Sequence, residues 1–185
     1  MTGEKAAFHP GDTIVYGTVG VCRVLSVGVP EAAYIDPKKQ YYTLAPVFGN
    51  ETIHVPVDTA IFMRPALTKI EAQELIRRFP KIRSETLEGE SQQSLSERYR
   101  ASLQSHRCDG LVRLLKTIYD KSNHAKSAGR KPYKVDDQYK KRAEALLYGE
   151  LSVALGIPKE EVAGYIARVL DPQGGDKPSQ NPQSA

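Results

Sequence analysis

The stretch FHPGDTIVYGTVGVCRVLSVG, Phe8–Gly28, decides the fold of the front of the chain. Thr13 to Tyr16 and Gly20 to Val29 are β-branched and aromatic runs separated by Gly17 and preceded by Gly11-Asp12, which read as antiparallel strands joined by tight turns. Glycine suits those turns because it reaches positive φ without a Cβ clash. The same pattern continues with strands expected at Gln40 to Pro46, Glu51 to Pro56 and Ala60 to Arg64, and with Gly49-Asn50 as a turn. Strands so few and so short predict closure into a small SH3- or Tudor-like antiparallel β-barrel.

Beyond Arg64 the apolar period changes from two to about 3.6. Thr68 with Glu71 and Ser94 with Glu97 both fit the capping box that satisfies orphan N–H groups at a helix start. The first helix should run to Phe79, where Pro80 stops it. Ser84 to Gln93 is polar and reads as a hinge. Further helices are expected at Ser94 to Ser105, Asp109 to Asn123, Val135 to Leu155 and Pro158 to Leu170, with Leu111, Leu114, Leu115 and Ile118 and then Val162, Ile166, Val169 and Leu170 as core stripes. The fold class is therefore α+β in two domains. Residues 1–66 form a Tudor-like module, 67–93 a connecting helix and polar hinge, 94–171 an all-α bundle, and 172–185 a disordered tail. On this division the fragments 1–66 and 84–185 should each fold alone.

In 185 residues the net charge is +4, unevenly spread. Residues 1–94 hold 10 Lys+Arg against 11 Asp+Glu, residues 95–142 hold 13 against 5, and residues 143–185 hold 3 against 6. A central block this basic is the footprint of a phosphate-binding surface, against the plainer alternative of a solvated helical face. No run approaches the roughly 18 apolar residues of a membrane span, and the opening Met1-Thr2-Gly3-Glu4-Lys5-Ala6 lacks a signal peptide's apolar core, so a cytoplasmic location is expected. Cys22 and Cys108 have no metal-ligand spacing and read as buried free thiols.

An enzyme is not expected. His9, His54, His106 and His124 are scattered, and His106 with Cys108 has no second cluster to complete a tetrahedral metal site. Gly17-Thr18-Val19-Gly20 lacks the Lys-Ser/Thr of a P-loop and reads as a hairpin turn. Asp136-Asp137 and Glu160-Glu161 lie at expected helix starts, where the helix dipole favours negative charge. Tyr16, Tyr34, Tyr41 and Tyr42 suggest an aromatic cage for methylated side chains, but strand tyrosines more often pack across strands.

Phe8 to Gly28 resembles the opening of the CarD family of bacterial transcription regulators, whose first domain begins with an F-x-x-G-D-x-V-V-Y-x-x-x-G pattern. The resemblance continues through Tyr41-Tyr42-Thr43-Leu44, Thr52-Ile53-His54-Val55-Pro56-Val57, Ser94 to Arg100, which is similar to the family's W-S-x-R-Y-K segment, and Gly149 to Leu155, similar to its G-E-L-A-x-A-L helix. It implies a first domain similar to the polymerase-interacting module of transcription-repair coupling factors, docking on the RNA polymerase β subunit. It implies a helical domain that meets promoter DNA, without sequence readout, at the upstream bubble edge and stabilises the open complex. No metal or other cofactor is implied, and a monomer is expected.

Two positions depart from the family. Leu95 stands where actinobacterial members carry Trp, and reads either as a weaker minor-groove wedge or as a staple or bundle contact. His54 replaces an Arg that faces the polymerase in some relatives, giving up a permanent charge. The DNA-binding candidates are Leu95, Arg98, Tyr99, Arg100, Arg113, Lys116, Arg130, Lys131, Lys140, Lys141 and Arg142, and the polymerase-binding candidates are Thr52, Ile53, His54 and Val55 on an expected edge strand. The alternative reading is an adaptor that binds polymerase and recruits another protein without touching DNA.

Overall fold

The computed structural model describes residues 8–32, 35–87, 89–129, 131 and 133–172. Five strands, β1 (Thr13–Tyr16), β2 (Gly20–Gly28), β3 (Tyr41–Pro46), β4 (Ile53–Pro56) and β5 (Met63–Pro65), form one antiparallel sheet in the order β4-β3-β2-β1-β5. The β1–β2 turn needs its glycines: Gly17 has φ 46° and Gly20 has φ 101°. One residue, Leu25, bulges from the β2–β3 ladder between Val24 and Ser26. Phe8, Ile14, Tyr16, Cys22, Val24, Tyr42, Leu44 and Val55 fill the core beneath the sheet.

The expected barrel does not close. Among the described residues β4 and β5 remain the two edges of an open sheet. Closure would require those edges to pair, and β4 has four residues and β5 three, too short to span a barrel seam after β5 has paired with β1.

Among the described residues five α-helices follow: α1 (Lys69–Arg78), α2 (Gln92–Gln104), α3 (Cys108–Ser127), α4 (Lys134–Leu155) and α5 (Val162–Leu170). The Thr68 capping box is complete, since Thr68 Oγ1 accepts from the Glu71 amide at 3.3 Å and Glu71 accepts from the Thr68 amide at 2.8 Å. The Thr68 amide, and after it the Thr68 hydroxyl, which donates to the same carboxylate oxygen at 2.8 Å, hold the Glu71 carboxyl below its ordinary range. Pro80 lies within a short 3-10 turn, Phe79–Lys81, that extends α1. Helix α2 starts earlier than expected. Ser91 is its N-cap and accepts from the Ser94 amide at 3.2 Å, so Ser94 is already helical and bonds back to Glu90, while Glu97 receives Gln93.

The segment 67–93 is a structural part of the helical body. Ala72, Leu75, Ile76 and Phe79 of α1 and its extension, with Leu87, share one core with Leu95, Tyr99, Leu111, Leu147 and Leu151. The stretch read as a hinge is tied to α3: Ser84 donates to Asp120 at 2.6 Å and the Glu85 amide to Thr117 Oγ1 at 2.9 Å. The tail from 173 onward lies outside the described residues.

Candidate polymerase and nucleic-acid interfaces

Among the described residues strand β4 ends the sheet order, paired with β3 in the register Tyr42↔Val55 and Thr43↔His54. Of the four candidates there, Thr52 precedes the strand and is exposed, Ile53 and His54 are half-buried, and Val55 is in the core. Val55 can therefore offer a partner its backbone but not its side chain. His54 Nδ1 lies 3.2 Å from Thr43 Oγ1. On β2, Leu25 and Val27 are exposed, an apolar feature that alternation around the bulge hid from the sequence reading. Tyr16, Tyr41 and Tyr42 are buried, Tyr42 edge-on to Phe8, so they build core rather than a cage; Tyr34 lies outside the described residues.

The central cations and their apolar companions separate into distinct environments. Leu95 and Tyr99 are 0% and 1% exposed, so of the two readings held open for Leu95 the structure shows the bundle contact. Tyr99 donates its hydroxyl to Asp136 at 3.0 Å, and Lys121 grips both oxygens of that carboxylate at 2.9 Å. Burial first, then the adjacent Asp136, pushes the Tyr99 phenol up. Asp136 thus pairs with α2 and α3, beyond the dipole role expected of it. Lys116 is also committed inside: its ammonium donates to the carbonyls of Phe79 at 2.6 Å and Ile82 at 2.8 Å, fastening the end of α1 to α3.

The other candidates lie at the surface. Arg98 is paired with Glu90 at 2.6 Å, Arg113 stands 3.9 Å from Glu85, and Lys140 stands 3.9 Å from Glu144. Arg100, Lys131, Lys141 and Arg142 are exposed, and Arg130 lies outside the described residues. Arg113 and Arg142 line different clefts. Arg142 sits with Lys159 and Phe48 where the sheet meets α4, and Arg113 sits with Arg78, Lys81 and Arg83. Those last three were missed. The run Arg77-Arg78-Phe79-Pro80-Lys81-Ile82-Arg83 carries four cations and no acid, but averaging charge over residues 1–94 concealed it.

A polar junction joins sheet and helices. Arg64, on β5, forms a two-pronged ion pair with Glu150 of α4, with Nη2 to Oε2 at 2.8 Å, and Glu150 also accepts from the Leu67 amide at 2.9 Å and from the Cys108 thiol at 3.0 Å. Arg64 Nε donates to the His106 carbonyl at 3.0 Å. His106, at φ 54°, stacks on Phe62 with ring centres 4.5 Å apart and brings Nδ1 to 3.1 Å from the Gly17 carbonyl. Burial, followed by the charge of Glu150, pushes the Cys108 thiol up. His106 and Cys108 are thus structural partners of other groups. Both cysteines are free and buried, and no described helix is long and apolar enough to cross a membrane.

Residues 8–67 match a family described as the CarD-like/TRCF RID domain. No curated protein matches the chain at a significant level.

Proposed function

Starting from a chain whose residues 8–67 are a CarD-like/TRCF RID domain, a protein-interaction module of the RNA polymerase-binding, transcription-related kind, we propose that the protein regulates transcription initiation. In this reading the domain docks on the polymerase β subunit at the β4 end of the sheet, where Thr52, Ile53 and His54 are presented. The helical body meets promoter DNA at the upstream edge of the bubble through the surface cations Arg98, Arg100, Arg113, Lys131, Lys140, Lys141 and Arg142, and holds the open complex. It works as a monomer, without a cofactor, in the cytoplasm with the polymerase.

The observation that carries this reading is the family match on the sheet half together with the Arg64–Glu150 junction. A junction of buried, mutually satisfied polar groups fixes the basic body relative to the docked module. DNA contact then becomes intramolecular at high effective concentration, which compensates for weak individual phosphate contacts. The test is a pull-down of the full chain with purified polymerase core and with its isolated β-lobe. Retention on both is expected, weakened by T52E/H54E; failure to bind either overturns the reading. The burial of Leu95 and Tyr99 favours the second reading, an adaptor that recruits a protein without touching DNA. DNA affinity that does not depend on salt, or no affinity, would select it.

A further inference from the structure

We propose that the cleft between the end of α1 and the start of α3 holds the phosphate backbone of duplex DNA through Arg78, Lys81, Arg83 and Arg113. This rests on the reading that the helical body meets DNA, and it extends the contact from Arg113, inside the basic block 95–142, to three cations that precede that block. The cleft has a volume of about 420 Å³, and all four cations are exposed. Two carboxylates also line it. Asp109 is taken by Arg107, whose guanidinium reaches both oxygens at 3.1 Å, and by the Gly110 amide at 3.2 Å. Glu85 stands at 3.9 Å from Arg113, a loose pair of two half-exposed side chains that a phosphate can displace. Among the described residues, Arg78, Lys81 and Arg83 form no ion pair.

The wall that presents these cations is fastened in place. Lys116 clamps the carbonyls of Phe79 and Ile82, Thr117 receives the Glu85 amide, and Asp120 receives Ser84, so residues 116–120 of α3 hold residues 79–85 at four points. Cations on a fixed wall lose less freedom on binding than cations on a free loop. The chemistry of the lining selects phosphate alone. Ile82 is the one apolar side chain among the described lining residues, and no aromatic ring is present to stack a base or nucleoside. A free polyphosphate is gripped by convergent backbone amides; here the donors are long side chains from two elements, spaced along an open surface as successive backbone phosphates require.

The experiment is fluorescence anisotropy of the full chain with a labelled short duplex across a salt series, for wild type, R78Q/R83Q and R78K/R83K. Each phosphate neutralised contributes about −0.9 to the log–log salt slope, so losing two contacts flattens it by about 1.8 and weakens all sequences alike. The lysine pair should keep the wild-type slope, and thermal melting should show all three folded, because both side chains are exposed. A steep wild-type slope left unchanged by R78Q/R83Q overturns the cleft while leaving the DNA reading intact. Absence of any DNA binding by the wild type overturns both. Titration with inorganic pyrophosphate supplies a third arm: saturable binding abolished in R78Q/R83Q, with the DNA slope unchanged, makes this a small-anion site and overturns the assignment to DNA.

Discussion

Leu95 shows how a single side chain changes meaning once its surroundings are known. At 0% exposure in the helical core it has no surface with which to wedge DNA. Leu95→Ala should cost about 2–5 kcal/mol by chemical denaturation, as buried Leu truncations do, and Leu95→Trp should also destabilise, by about 1–3 kcal/mol, because the extra volume has nowhere to go. A tryptophan variant as stable as wild type would show the site to be more open than it is here. The thiols give a pH prediction. Burial, then Glu51, pushes Cys22 up to about 11, and burial with Glu150 also raises Cys108. A thiol whose folded pKa lies above its unfolded value keeps the native state favoured below the unfolded value, near 9, and that contribution is lost as pH rises through the folded value. Stability should therefore fall with pH above about 9. Cys22→Ala/Cys108→Ala should flatten the fall, leaving the share from the raised Tyr16, Tyr99 and Tyr148; an unaltered profile would remove the thiols as its cause.

At the scale of elements, the start of α2 is decided by competition between two serines three residues apart. The capping-box pattern pointed to Ser94 with Glu97, but it is Ser91 that receives the amide that a cap receives. Ser91→Ala should cost about 1 kcal/mol in denaturant unfolding, and Glu97→Ala should cost much less because Glu97 caps nothing. The reverse order would restore the later start. The sheet edge follows a similar logic. The alternation in Thr52 to Val57 marks a strand, but its place at the edge depends on β5 pairing with β1 on the far side of the sheet.

For the whole molecule, Glu150 is the group on which the relation between sheet and helices depends. Its side chain is 4% exposed and accepts from Arg64, Leu67 and Cys108 at once. Removing one partner of a buried pair leaves the other charge uncompensated, so Glu150→Ala should destabilise by about 3–5 kcal/mol, and Arg64→Met/Glu150→Leu should recover much of that loss. Calorimetry should also show the melting of the single variant dividing into separate sheet and helix transitions. The core membership of α1 moves the boundary for fragments: residues 67–185 should melt cooperatively, whereas residues 84–185, stripped of Ala72, Leu75, Ile76 and Phe79, should be helical but loosely packed by near-ultraviolet circular dichroism. Sharp cooperative melting of the shorter fragment would return the boundary to residue 84.

Local chemistry made much of this protein legible from its residues. Turn glycines at 17 and 20, the Thr68–Glu71 box and the 3.6-residue stripes each act within a few positions of chain, so β1 to β3, α1 and the order of strands before helices were readable directly. The opening motif at Phe8 to Gly20 likewise pointed to the domain family that residues 8–67 match. Only the tertiary structure decided which charges face water. Lys116, Lys121 and Asp136 look like surface residues and are spent on other elements, while Arg78, Lys81 and Arg83 look like connector residues and line a cleft with Arg113. The reason is physical: a side chain's burial and partners depend on which distant segment packs against it, and neither charge nor spacing along the chain carries that information.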